Sequence, residues 1–310
     1  MSKVKNATSI GGQALIEGVM MRGPENVGIA VRKPDGSIET KTLTVGTIKD
    51  KYPILKLPIV RGVVNFIEMM MFGYKALAYS ADVAGQGIEE EPSKFEVWLS
   101  KKFGKSLMDV AMYLALILGV VIAVGLFSVL PTLITGIFGN ILPQNGKTAI
   151  EAILKFAIFI VYIILASRLK DIKRVFQYHG AEHKTIFCYE AKKELTVENA
   201  RSFGRLHPRC GTNFIAIVLL VSIFIFSFVS WNSVLIRVLL KIALLPIVVG
   251  ISYELLKLAG RYDNILTRII SFPGMMLQKI TTQEPDDSML EIAIKAVKLV
   301  LPEDGGIVQW

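Results

Sequence analysis

The sequence predicts a mainly α-helical, polytopic membrane protein. It has about four spans, a small β-rich N-terminal unit and a cytoplasmic loop rich in histidine and cysteine. Three observations carry that reading. Hydrophobic residues make up 52% of the 310 residues and the mean hydropathy is +0.51, far above the range of soluble domains. Four apolar stretches, about 107–138, 149–168, 213–231 and 233–257, each approach or exceed the ~20 residues a spanning helix requires. All three histidines and both cysteines fall between His179 and Cys210, a segregation that core packing, which scatters such residues, does not produce.

Along the chain, residues 1–50 form the β-rich unit. Alternating runs around Val27–Val31 and Ile38–Val45 flank Pro34-Asp35-Gly36, a turn in which proline presets φ and glycine tolerates positive φ. That pattern is a hairpin. Gly11, Gly12, Gly18 and Gly23 lie ahead of it or at its edge and read as tight turns or close backbone approach, since neither phosphate-loop spacing is present. Gln13, Glu17 and Arg22 sit among these glycines and are within reach of a site or on a surface hairpin.

Residues 51–105 read as an amphipathic interfacial helix and a connector. The helix starts after Pro58 and runs over 58–83, with Arg61, Asn65, Glu68, Lys75 and Tyr79 as a thin polar stripe. A sharper alternative aims Arg61 and Glu68 at a site. The connector covers 85–105.

Residues 106–168 hold the first two spans, kinked near Pro131 and carrying a snorkelling Lys155. Residues 169–212 form the histidine loop, and 213–260 the last two spans. Trp231 is expected at an interface. Lys241 is expected to snorkel, and Glu254, near the end of the last span, is either a functional acid or the partner of Lys257 or Arg261. Residues 261–310 close the chain with a soluble-looking helix, capped at Asp286, Asp287 or Ser288 and patterned by Leu290, Ile294, Val297 and Leu301.

Orientation follows from the basic residues. The 168–212 connection holds ten lysines and arginines, from Arg168 to Arg209, whereas the 139–148 connection has one lysine and the turn at Trp231–Asn232 none. The loop and both termini therefore face inward. In a soluble protein a formal charge of +9 would raise nucleic acid as a partner. Here basic flanks of membrane spans account for it, and no basic stripe interleaved with aromatics is present. Two cysteines make no disulfide framework. The opening MSKVKNATSIGG lacks the apolar run and cleavage site of a signal peptide.

The chemistry concentrates in His179-Gly180-Ala181-Glu182-His183, an H-x-x-E-H pattern. On a helix, residues four apart share a face, so His179 and His183 can hold one metal ion together, with Glu182 as base. Zinc, or another divalent transition metal, suits these ligands, and a catalytic site takes three of them. His207, Cys210, Glu190 and Glu254 are candidate third ligands. Arg209 or Arg205 would stabilise an oxyanion or phosphate. Gly180 counts against the helix, since glycine in a helix interior costs ~1 kcal/mol relative to alanine. Cys188, in the apolar run TIFCY, reads as a small core residue. A four-ligand structural site and a Cys210–His207 nucleophile pair remain alternatives.

GGQALIEGVMMRGP, YHGAEHK with YE after it, HPRCGTNF, GISYELLKLAGR and TTQEP together resemble the YqhQ family over nearly the whole chain, from about Ile10 onward. These are bacterial membrane proteins described as predicted metal-dependent enzymes. The resemblance implies that His179, Glu182, His183, His207 and Cys210 belong to motif cores. The expectation is a zinc-dependent hydrolase of the bacterial inner membrane, acting at the cytoplasmic face on a peptide or lipid-linked substrate. Glu182 and Arg209 would be catalytic, and His179, His183, His207, Cys210 and Glu254 would be the ligand candidates. The bilayer is its partner, nucleic acid is not, and an oligomer is compatible. Two alternatives are a non-enzymatic scaffold with a structural metal site and a transporter lined by Glu254, Lys241 and a break at Pro246 and Gly250.

Overall fold

The computed structural model describes residues 2–3, 8, 10–44, 48–85, 107–138 and 141–301. From residue 86 on, the connector expected at 85–105 lies outside them. Four strands, β1 (Gly11–Leu15), β2 (Gly18–Arg22), β3 (Asn26–Arg32) and β4 (Ile38–Thr44), form an antiparallel meander in chain order. The principal helices are α1 (Val60–Val83), α2 (Leu107–Val124), α3 (Leu130–Gly136), α4 (Gln144–Ala166), α5 (Lys170–Glu190), α6 (Val197–Arg201), α7 (Gly211–Ser227), α8 (Val234–Arg261), α9 (Ile265–Thr281) and α10 (Asp287–Lys298). They belong to two compact units, one of Met1–Gly87, Ile163–Ser222 and Pro246–Trp310, the other of Ile88–Tyr162 and Ile223–Leu245.

In the first unit the sheet is covered on both faces. Leu15, Met20, Val27, Ile29 and Val31 pack against Ala76 and Tyr79 of α1. Val19, Met21 and Ala30 share the opposite core with Tyr178, Ala181 and Ile186 of α5 and Met289, Ile292 and Ala296 of α10. Two-sided burial explains why β2 and β3 read as near-continuous apolar runs rather than strict alternations. The expected hairpin is the β3–β4 pair, with Val27 opposite Leu43. Its turn is closed by the Ser37 N–H, which donates to Asp35 Oδ1 at 2.9 Å, and by the Lys33 N–H, which donates to the Ser37 carbonyl. The glycine-rich segment ahead of the hairpin forms two further strands of the same sheet.

Helix α10 matches its expected pattern, with Leu290, Ile294 and Val297 buried and Asp286 as the cap accepting from the Met289 N–H. Helix α9 has no counterpart in the sequence reading. It opens with a reciprocal Asn264–Thr267 capping box. Most of the expected 169–212 loop is helical as well, formed by α5, α6 and the turns that follow.

Three helices are long and apolar enough to cross a membrane: Leu114–Gly136, Gln144–Ala166 and Val234–Arg261. The third of the four expected stretches, 213–231, corresponds to α7, which has 17 residues and falls short of that length. Among the described residues the count is therefore three candidate spans rather than four. A π turn at Gly125–Val129 runs into Pro131, so the expected kink takes the form of a local widening, with the Leu130 N–H bonded back to Gly125 O. Helix α8 is continuous through Pro246 and Gly250, so the expected break there is not present.

The second unit holds a buried ionic cluster. Arg237 on α8 bonds Glu151 Oε2 on α4 at 2.7 Å, and Lys241 pairs with Glu151 Oε1 and donates to Thr132 Oγ1 at 2.8 Å. All three charged groups are buried, which corrects the expectation that Lys241 snorkels. A cation enclosed among apolar helices needs a paired carboxylate, and Glu151 supplies it. Trp231 is also buried, with its ring 4.0 Å from the Arg237 guanidinium and its Nε1–H donated to Thr148.

Candidate metal centre

Helix α5 sets His179 and His183 one turn apart on a single face, with ring centroids 4.4 Å apart. Glycine at 180 is required by packing. A β-carbon there would lie 2.0 Å from the Gln283 carbonyl oxygen. The Gln283 N–H donates to Phe176 O at 2.8 Å, so the segment after α9 lies directly along α5. The helix-propensity cost of Gly180 is offset by this contact.

The two imidazoles are oriented by backbone carbonyls from different parts of the chain. His179 Nδ1 lies 2.9 Å from Thr281 O, and His183 Nδ1 lies 2.5 Å from Arg205 O. A carbonyl only accepts, so each Nδ1 carries the proton and each Nε2 presents a lone pair. This is the arrangement by which metal-binding histidines are fixed in ring angle and tautomer.

Both Nε2 atoms face Cys210. The His179 Nε2 is 3.0 Å from the Cys210 sulfur, and the donor atoms of His179, His183 and Cys210 all lie within 4.8 Å of one another. Metal–ligand bonds of about 2.0–2.3 Å put tetrahedral donors roughly 3.5 Å apart, so the trio fits a zinc-sized ion. Cys210 sits at the start of α7, where its sulfur accepts the Thr212 N–H at 3.3 Å. Burial opposes ionisation of the thiol, but the His183 ring and the Thr212 backbone and hydroxyl outweigh it and bring the pKa below the usual thiol value. Burial also holds the His183 ring below the ordinary imidazole pKa, so it favours the neutral form that binds metals.

Glu182 completes the constellation. It is buried, and burial pushes its pKa up to about 8, against the opposing effects of His179 and the Gly12 N–H. A β-carbon on Gly12 would stand 2.8 Å from the Glu182 carboxyl carbon, so β1 admits this side chain only because residue 12 is glycine. Glu182 Oε2 and His183 Nε2 are buried and without a hydrogen-bond partner among the described residues. Orphaned polar atoms of this kind are costly, and two adjacent ones beside the Cys210 sulfur and the His179 Nε2 bonded to it form a donor set suited to a cation.

The remaining candidates are engaged elsewhere. His207 is buried, 5.5 Å from the His183 ring, but its Nδ1 accepts from the Arg209 N–H and its Nε2 lies 3.7 Å from Glu190 Oε2. Burial lowers its pKa. Arg209, expected as an oxyanion stabiliser, is ion-paired with Glu190, which also accepts the Thr8 N–H. Burial opposes the Glu190 charge, but His207, Arg209 and Thr8 outweigh it and hold the carboxyl below its usual pKa.

Arg205 donates to Thr282 O and Oγ1. Glu254 is bonded by Arg61 of α1, so it pairs neither with Lys257 or Arg261 as expected nor with the histidine cluster. Cys188 is buried in the sheet–helix core, as its apolar run predicts. Among the N-terminal candidates, Glu17 binds Arg174 and accepts from Tyr178 OH at 3.1 Å, Gln13 packs on Gly73 of α1, and Arg22 donates to the Met69 sulfur.

The support from Gln278 on α9 leaves no mark in local sequence. Gln278 accepts the His207 N–H at 2.7 Å, donates to His207 O at 2.9 Å and donates to Asn213 Oδ1 at 3.0 Å. Thr281 supplies the carbonyl for His179. The TTQEP motif that begins at Thr281 was the available signal.

A family model described as "Protein of unknown function (DUF1385)" matches residues 57–303. The uncharacterized protein YqhQ of Bacillus subtilis (strain 168) is 36% identical over 307 residues, covering 97% of this chain and 95% of the relative. No solved structure matches. A family match over most of the chain, and a relative aligned almost end to end, establish the membership that the histidine, glycine and TTQEP motifs suggested: the chain belongs to the DUF1385 family.

Proposed function

We propose that this chain is a membrane-bound, metal-dependent hydrolase whose ion, zinc or another divalent transition metal, is held by His179, His183 and Cys210. The observation that carries the reading is the pair of buried orphaned atoms, His183 Nε2 and Glu182 Oε2, beside the Cys210 sulfur and the His179 Nε2. Three protein ligands leave one position open, which is the pattern of catalytic rather than structural zinc. Zinc bound in this way supplies Lewis-acid and water-activating chemistry at neutral pH.

The chain's own residues would do the rest. The Thr281 and Arg205 carbonyls hold the imidazoles. Glu182, whose pKa burial raises to about 8, would take and return the proton of the attacking water once a bound cation favours its charged form. Glu190 and Arg209 neutralise each other and brace His207 behind the ligands, so neither is required at the reacting atoms. The expected location is the bacterial inner membrane, with the centre and both termini on the cytoplasmic side. That topology needs α7 to cross as a fourth span, although its 17 residues give a length of only ~26 Å. The substrate class is a peptide or a lipid-linked molecule.

Elemental analysis of the purified full chain tests the metal. Stoichiometric zinc in the wild type, lost in a His179→Ala/His183→Ala double variant, supports the reading, and absence of metal from both ends it.

A structural site is the second reading, favoured by the deep burial of His183, Glu182 and Cys210. In that case Glu182 would be the fourth ligand. X-ray absorption separates the two readings. A coordination sphere with an exchangeable light-atom ligand, unchanged in Glu182→Gln, supports catalysis. Loss of one ligand in that variant supports a structural closure.

A further inference from the structure

Helix α9 is built inside out. Its inward face, toward the start of α7 and the histidine cluster, carries Thr267, Ser271, Gln278 and Thr281, all buried, with Gly274 and Leu277 as the apolar members. Its outward face carries Ile265, Leu266, Ile269 and Phe272 at 78%, 60%, 63% and 60% exposure, followed by Met276. The spacing 265, 269, 272, 276 is one continuous helical stripe. A helix on the surface of a water-soluble protein shows the reverse pattern. The reverse is what α10, the next helix, displays: Leu290, Ile292, Ile294 and Val297 are buried, while Ser288, Lys295 and Lys298 are exposed.

A lone exposed leucine needs no explanation, but a contiguous apolar stripe opposite a buried polar one does. Neither helix propensity nor core packing selects Ile, Ile, Phe and Met for water while hiding Thr, Ser, Gln and Thr. A medium that is itself apolar selects that pattern.

The chain's own course names the medium. Helix α8 is one of the three helices able to cross a membrane, and it ends at Arg261. Helix α9 begins at Ile265. The four residue steps between them reach at most about 14 Å. A helix that starts so close to the end of a span, with an apolar outer stripe, stays at the boundary that the span has just left. Lys257 and Arg261 at the end of α8, and the exposed Arg268 and Lys279 on α9, give this zone a basic character suited to anionic headgroups.

We propose that α9 is an interfacial helix, lying along the membrane with the Ile265, Ile269, Phe272 and Met276 stripe immersed at the headgroup–acyl boundary. Its occupant is the lipid monolayer rather than a second copy of the chain or another protein. This assignment rests on the exposure pattern and chain continuity, and it holds whether or not the histidine cluster binds a metal.

The test uses the full chain in vesicles of phosphatidylethanolamine and phosphatidylglycerol. Single cysteines are placed by Ile269→Cys, Phe272→Cys and, as an aqueous control, Ser288→Cys. Both native cysteines are buried, and their background is read from unsubstituted protein. Each variant is spin-labelled and its relaxation measured with oxygen, which concentrates in lipid, and with a nickel chelate, which stays in water. The expected result is an oxygen-to-nickel accessibility ratio several-fold higher at positions 269 and 272 than at 288.

Nickel accessibility at 269 and 272 equal to that at 288 overturns the proposal. Dipolar broadening at 272 that vanishes on dilution with unlabelled protein also overturns it, because it assigns the stripe to contact between copies. The two α9 variants are conservative in burial, being already exposed, and elution as a single species in detergent verifies that each is folded.

Discussion

The Nε2 of His179 lies 3.0 Å from the Cys210 sulfur, across 31 residues of chain. Neither residue is placed by the other. His179 is aimed by the Thr281 carbonyl, and Cys210 by its position ahead of α7, where its sulfur takes the Thr212 N–H. A pair fixed independently from two sides stays in register without a ligand, which is what a preorganised metal site needs.

Cys210→Ser should therefore reduce zinc affinity by more than the ~10–100-fold typical of losing a supporting hydrogen bond, since a neutral hydroxyl replaces a thiolate donor. His207→Ala should leave the metal stoichiometry intact, because that ring is braced against Glu190 and Arg209 rather than joined to the trio. Competition with a chromophoric chelator measures both. Equal loss in the two variants would move His207 into the ligand set.

Gly180→Ala should destabilise the protein although alanine is the better helix former. The new methyl group meets a backbone carbonyl at 2.0 Å, and backbone gives way less readily than a side-chain tip. Overpacking of this kind costs about 1–3 kcal/mol, larger than the ~1 kcal/mol propensity gain. Thermal unfolding in detergent should show a lower midpoint. A raised midpoint would mean that the segment at Gln283 yields easily.

Glu151→Gln should be among the most damaging single changes in the second unit. It leaves Arg237 and Lys241 buried without their carboxylate, and breaking a buried pair from one side costs about 3–5 kcal/mol. Glu151→Gln combined with Lys241→Met should recover part of that loss, because it removes one stranded cation. Aggregation temperature in detergent reads both, and additive losses would show that the three groups do not act as a cluster.

Gln278→Leu keeps the volume on α9 but strands the His207 N–H and removes the Gln278 amide from Asn213 Oδ1 and from His207 O, which keeps only the Cys210 N–H. A buried group left unsatisfied costs about 1–3 kcal/mol, so a clear fall in unfolding midpoint is expected. Exchange protection at the His207 amide should fall with it, whereas Ser288→Ala on the exposed face of α10 should change neither.

The parts of the molecule governed by local periodicity were legible in the sequence. The apolar runs, the Pro34-Asp35-Gly36 turn and α10 follow from patterns of two and 3.6 residues and from turn chemistry. The i, i+4 placement of His179 and His183 followed from the same geometry, and the nearness of Cys210 from its sequence company. Pairings over long separations were not legible. Glu254 finds Arg61, and Lys241 finds Glu151, on helices remote in the chain, and no local rule distinguishes those partners from Lys257 or from open solvent. Helix α9 was missed because its polar residues face inward, Pro273 lies inside it, and its stripe resembles neither a span nor a soluble amphipathic helix.

One consequence follows from the two-sidedness of α9. Ile269 and Phe272 stand on one flank of a single helical rod, and Gln278 and Thr281 on the other. The rod cannot tilt or sink without carrying the Thr281 carbonyl along. Drift of about 1 Å would stretch the 2.9 Å bond to His179 beyond hydrogen-bonding range and free the imidazole to swivel. The aim of that ring is therefore tied to how the helix is seated, and if α9 lies in the monolayer as proposed, changes in monolayer thickness or lateral pressure would register as a change in the angle of the His179 imidazole.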